Sequence, residues 1–140
     1  MALVVPNASE VILLERMLNK QNTDTMVLKL FTSNTIPVPG TILTNLTECS
    51  QTGYTAVTMT NSSWAVAASP LTGAAVATYA EQTFTFSSAA SGVDIYGYYV
   101  TDTSGTPNLL WVERFSTAPF SVPPAGGQIA ITPTINLENL

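Results

Sequence analysis

Between Asn7 and Asn22 the apolar residues fall at helical spacing. Val11, Leu14 and Leu18 form one stripe, Ile12, Leu13 and Met17 widen it, and Glu15, Arg16, Asn19 and Lys20 lie away from it. Asn7 suits the N-cap, and Glu10, three residues on, completes a capping-box spacing that satisfies otherwise orphaned N–H groups. Lys20 sits where a cation suits the C-terminal end of the helix dipole. The pattern predicts a helix over residues 8–20.

After Asn22 the period changes from 3.6 to 2. Met26, Leu28 and Leu30 alternate with Val27, Lys29 and Phe31, which predicts a strand with at least one buried face. NTIPVPG (34–40), with Pro37, Pro39 and Gly40, reads as a loop, because proline cannot donate to a central ladder. Further short strands are expected near 41–47, 54–59, 74–79, 82–87, 93–101, 108–116 and 127–136. Turn signals separate them at Gly53, 69–73, 87–92, 103–108 and 121–127. This spacing predicts a mainly β fold, an antiparallel β-sandwich or partly closed barrel with one N-terminal α-helix. The expected organisation is an N-terminal extension and helix over 1–22 and a single β domain over 23–140.

The densest aromatic stretch, VDIYGYYVTDTSG (93–105) followed by LLWVERFS (109–116), is expected to form a hairpin through the 103–108 turn. On a continuous strand, Tyr96, Tyr98 and Val100 share one side, and Ile95, Gly97, Tyr99 and Thr101 the other. Trp111, Glu113 and Phe115 share a side of the second strand. Gly97 leaves room for an aromatic ring from a neighbouring strand to lie across the backbone. Large side chains on both faces imply that the hairpin is covered on both, by its own core or by a partner. The candidate interface and packing residues are therefore Val11, Leu14, Leu18, Tyr96, Tyr98, Tyr99, Trp111 and Phe115.

Composition narrows the function classes. The chain is 46% hydrophobic and 9% charged, where a soluble domain usually carries about 25% charge. Thr, Ser and Asn replace charge at the surface, and so uncharged a surface suggests contact with other subunits. A net charge of -5 with four cations argues against binding nucleic-acid backbones or anionic membranes. The absence of histidine removes the usual general base, the Ser-His and Cys-His pairs and most zinc sites. Asp94, Asp102 and Glu113 are the candidates for a carboxylate pair, but Asp102 reads as a turn residue and the other two as residues of the hairpin that carries Arg114. Cys49, the single cysteine, reads as a small buried hydrophobe. No phosphate loop or calcium loop is present, and the three Asn-x-Ser/Thr sequons read as chance matches. The expectation is a non-enzymatic protein with no catalytic residues, metal or cofactor. MALVVPNASE lacks a basic n-region and a long apolar core, and no apolar run has membrane-spanning length, so the chain is expected to stay in the cytoplasm where it is made.

The segments VPNASEVILLERML, LKLFTSNTIP, GYTAVTMTNSSW, IYGYYVTD, LLWVERF and ITPTINL, taken in order, resemble a family of small virion-module proteins of tailed bacteriophages and prophages. In that family a VPN-x-x-E-x-x-LL helix, an LKLF strand, a GY…W segment, IYGYY-V-D and LLW-x-ERF recur in the same order. The resemblance covers nearly the whole chain and implies a virion component made in the host cytoplasm, a capsid decoration or cement protein. Its implied partners are the major capsid protein and copies of itself, as a trimer on a three-fold position. A tail or head-to-tail connector component is the alternative. A receptor- or glycan-binding module is a further one, for which Tyr96 and Tyr98 would be exposed. The N-terminal helix or the MALVVP segment is expected to grip the shell or a neighbouring protomer.

Overall fold

A computed structural model describes residues 14, 18, 25–68, 75–103 and 106–137. Among these the chain forms eleven strands: β1 (Met26–Phe31), β2 (Val57–Met59), β3 (Trp64–Ala68), β4 (Ala75–Tyr79), β5 (Gln82–Phe86), β6 (Val93–Ile95), β7 (Gly97–Asp102), β8 (Leu109–Arg114), β9 (Phe120–Val122), β10 (Gly127–Ile131) and β11 (Thr134–Leu137). They make open sheets with antiparallel pairing and no closed barrel, so the fold is mainly β and sandwich-like, as the strand spacing predicts. Of the expected helix, Leu14 and Leu18 are described. Both are buried, and the Leu18 N–H donates to the Leu14 carbonyl at 3.0 Å, the i to i−4 bond of a helical turn. Val11 and the rest of that stretch lie outside the described residues.

The chain divides into two compact units that interleave along the sequence. One takes Met1–Asp24, Thr60–Gln82 and Ile131–Leu140, the other Thr25–Met59 and Thr83–Ala130. The first unit holds the sheet β11-β4-β3. Trp64 and Tyr79 are cross-strand partners there, their rings edge-on at 5.1 Å, and the Tyr79 hydroxyl accepts the Thr60 N–H at 2.8 Å.

The second unit is built on the sheet β2-β1-β7-β8. β1 alternates as expected: Met26, Leu28 and Leu30 are buried, while Val27 and Lys29 are half-buried. Leu28 pairs with Val100 and Leu30 with Tyr98, so one face of β1 and β7 is buried across these pairs and ends where Met26 meets Asp102. On the other face Phe31, Tyr99 and Leu46 form a buried cluster, flanked by Leu43, Tyr96, Leu109 and Val112. Where β2 ends, the edge of β1 is closed by other groups. The Tyr54 hydroxyl accepts the Leu30 N–H at 3.1 Å, and the Cys49 N–H donates to the Leu30 carbonyl at 2.9 Å. Cys49 is buried, and burial pushes its thiol pKa up, consistent with an inert hydrophobe.

Several expected strands differ in detail. The 41–47 segment forms a 3-10 turn at Leu43–Asn45 in place of a strand. Asn45 supplies the reason: its side-chain oxygen accepts the Ile42 N–H at 2.9 Å and its own N–H donates to the Ile42 carbonyl at 3.0 Å, a local alternative to a ladder. The 127–136 strand splits at Pro133, which has no N–H for a ladder, so β10 pairs with β5 and β11 with β4. The 93–101 strand breaks at Tyr96, whose N–H donates to Phe31 and whose carbonyl accepts from Phe115. Upstream of the break β6 pairs with β9; downstream, β7 lies between β1 and β8. β3 and β9 were not expected, since Ala-rich WAVAA and the three residues FSV carry little alternation.

Candidate functional site

The expected hairpin of β7 and β8 is present, with Gly97 opposite Arg114, Tyr98 opposite Glu113, Tyr99 opposite Val112 and Val100 opposite Trp111. Thr101 then pairs with Leu109, which leaves Leu110 as the extra residue of a bulge. Gly97 is required by close approach: a Cβ there would overlap the Glu113 carbonyl and the Phe31 ring, the aromatic that lies across its backbone.

The aromatic residues divide differently from a continuous strand. Tyr96 does not share a side with Tyr98, because the break between β6 and β7 turns it into the cluster of Phe31, Leu46 and Tyr99. Tyr98 and Tyr99 are buried, whereas Tyr96, Trp111 and Phe115 are half-buried. The Tyr98 hydroxyl donates to Glu113 Oε2 at 2.5 Å. A tyrosine platform offering both Tyr96 and Tyr98 to a ligand is thus not on the surface, since Tyr98 is only 3% exposed.

The three acids do not converge through shared partners. Asp94 lies on β6, paired with β9 and not with the strand of Glu113, and accepts a hydrogen bond from Ser121 Oγ at 2.6 Å. Asp102 accepts the backbone and side-chain N–H groups of Asn108, both at 2.8 Å, and so closes the hairpin turn. Glu113 holds Tyr98. A fourth acid, Glu48, takes Lys29 at 2.9 Å and the Tyr54 hydroxyl at 3.3 Å. The charge of Glu48 also acts on the Tyr99 phenol. Burial, more than the neighbouring carboxylate, pushes both phenol pKa values well above their ordinary range. Among the described residues no group of three metal-ligating side chains occurs, and no helix is long and apolar enough to cross a membrane.

Two surface features were not singled out by the sequence. The first is the loop after β1, where Ile36, Val38 and Ile42 are 72%, 60% and 59% exposed and no residue from Ser33 to Ile42 is charged. This apolar loop is tied down at both ends. Thr35 Oγ1 donates to the Asn45 carbonyl at 2.7 Å, Ser33 Oγ accepts the Thr47 N–H at 3.1 Å, and Val38 and Thr41 bond each other. Arg114 reaches it from β8, donating to the Thr35 carbonyl at 3.0 Å and to Asn34 Oδ1 at 2.7 Å.

The second feature is a shallow cavity of about 410 Å3 between the end of β8, the 115–120 loop and β10, lined by Glu113, Phe115, Thr117, Phe120, Gln128 and Ile129 among others. Phe115 comes from the expected aromatic set, but Phe120, 42% exposed, falls between the expected 108–116 strand and the 121–127 turn, where the pattern predicts no element. The loop presents aliphatic surface to solvent, and the cavity sets two phenyl rings beside Glu113, Ser116, Thr117 and Gln128. No protein-family model matches this chain, and no curated protein or solved structure matches it either.

Proposed function

We propose that this chain is a structural virion protein of the capsid-decoration type, made in the host cytoplasm, which binds the outer surface of a shell of major capsid protein as a trimer. The observation that carries the reading is the braced apolar loop. Three branched aliphatic side chains stand in water on a segment held by Arg114, Thr35, Ser33 and two prolines. Such exposure costs solubility until a partner covers it, and the bracing means that little ordering entropy remains to be lost on contact. The ordered resemblance to tailed-phage virion proteins and the low charge of the chain support the same reading.

Energetics favour a repeated contact. Burying each of Ile36, Val38 and Ile42 contributes roughly 1–2 kcal/mol given what they already bury, so one loop alone makes a weak joint. Three loops around an axis act together, and the second and third contacts become intramolecular.

Copy number in purified particles tests the reading. Hundreds of copies per particle, removable from the outside without loss of DNA packaging, are expected of a decoration protein, whereas about a dozen would mark a connector ring. Absence of the chain from particles would overturn both.

A further inference from the structure

We infer that the cavity beside β8 is a receptor for an arginine side chain carried by a partner protein. Among its lining residues Glu113 alone is charged, beside the polar Ser116, Thr117 and Gln128. Glu113 gives Oε2 to the Tyr98 hydroxyl and keeps Oε1, and Gln128 donates an N–H to Thr85 Oγ1 at 3.2 Å, which leaves its amide oxygen as its acceptor. Phe115 and Phe120 supply aromatic surface on either side of the 115–120 loop. No lysine or arginine lines the cavity. Arg114, the neighbour of Glu113 on β8, has its guanidinium over Tyr96 and on the loop at Asn34 and Thr35.

A carboxylate beside aromatic rings with no cation of its own lacks a charge partner. A guanidinium matches all three parts: it donates to the free carboxylate oxygen and to the amide oxygen, and its weakly hydrated plane stacks on phenyl rings. An ammonium meets the charge but is more strongly hydrated and does not stack, so arginine is preferred over lysine. A neutral sugar would leave the Glu113 carboxylate without a charge partner.

The inference stands on the cavity and not on the particle reading, so either can fail without the other. The test is a titration of the isotope-labelled full chain with N-acetyl-arginine amide at low salt, followed by backbone amide shifts. Saturable shifts are expected at residues 113–120 and 128–130, with binding about tenfold weaker for N-acetyl-lysine amide, a difference of about 1.4 kcal/mol. The uncharged isostere N-acetyl-citrulline amide should produce no saturable shift, and added salt should weaken the arginine response. Glu113→Gln, which keeps an acceptor for Tyr98, and Phe120→Ala, at an exposed ring, should each weaken binding at least about fivefold in chains whose spectra remain dispersed. Equal response to citrulline, no saturable shift with arginine, shifts of the same residues by methyl glucoside, or unchanged affinity in both variants would each overturn it.

Discussion

The guanidinium carbon of Arg114 lies 4.9 Å from the centroid of the Tyr96 ring, and the same group donates to Asn34 and Thr35 in the exposed apolar loop. One side chain therefore joins the aromatic cluster of the sheet to the segment proposed to meet the shell. Replacing Arg114 by Ala should cost about 1–2 kcal/mol, from two charge-assisted hydrogen bonds and a cation–π contact at a half-buried position. Hydrogen exchange should show the loop amides of Thr35 and Thr41 losing protection before those of β1. Lysine at the same position should not restore it, since a point charge cannot stack on Tyr96 and reach both acceptors together.

Changing Ile36, Val38 and Ile42 together to serine separates folding from attachment. All three are exposed, so the thermal midpoint should stay within the small range of surface substitutions, about 0.5 kcal/mol in total. Occupancy on particles should fall by at least about tenfold. Full occupancy, measured by quantitative gel or mass spectrometry, would show that another surface makes the contact.

Gly97→Ala places a methyl group against the Glu113 carbonyl and the Phe31 ring. Neither neighbour is the free end of a flexible side chain, so the strand must move and β7 must part from β8. A loss of about 3 kcal/mol or more is expected by denaturant titration. Gly40→Ala, where nothing lies within 4 Å of the new atom, is the matched control.

Alkaline pH should unfold the protein through Tyr54 and Tyr99. Burial holds both phenols neutral in the folded chain, with pKa values raised above the ordinary 10.0. Their contribution is complete below about pH 10 and is lost as pH rises above it, because the unfolded chain releases its protons first. Phenolate absorbance should show the two tyrosines titrating only with unfolding. The Tyr54→Phe, Tyr99→Phe double variant should have a flatter stability profile above pH 10 than the parent chain.

What could be read from the sequence was local. The alternation through Met26, Leu28 and Leu30 identifies β1, and Gly97 marks the seat of a crossing ring, because both depend on neighbours along one strand or on a missing side chain. The break at Tyr96 was not legible, since it is made by hydrogen bonds to Phe31 and Phe115, far away in sequence. The same limit placed Asp94 on the hairpin of Glu113, when its strand pairs with β9. NTIPVPG was recognised as a loop from its prolines, yet the exposure of Ile36 and Val38 runs against the usual burial of aliphatic residues, and only the fold reveals it. The cavity needs residues from β8, the 115–120 loop and β10 at once, so no single stretch announces it.

The bulge at Leu110 bears on the time before assembly. β8 ends its sheet, and a flat, uncharged outer strand there would invite a second chain to add on and start a fibre. The extra residue disturbs the spacing of the free backbone groups, and Glu113 and Arg114, two of the few charged residues in the sequence, stand on that same strand. A chain so poor in charge thus keeps two of its charged residues on an outer strand, which would let free copies accumulate without sticking strand to strand.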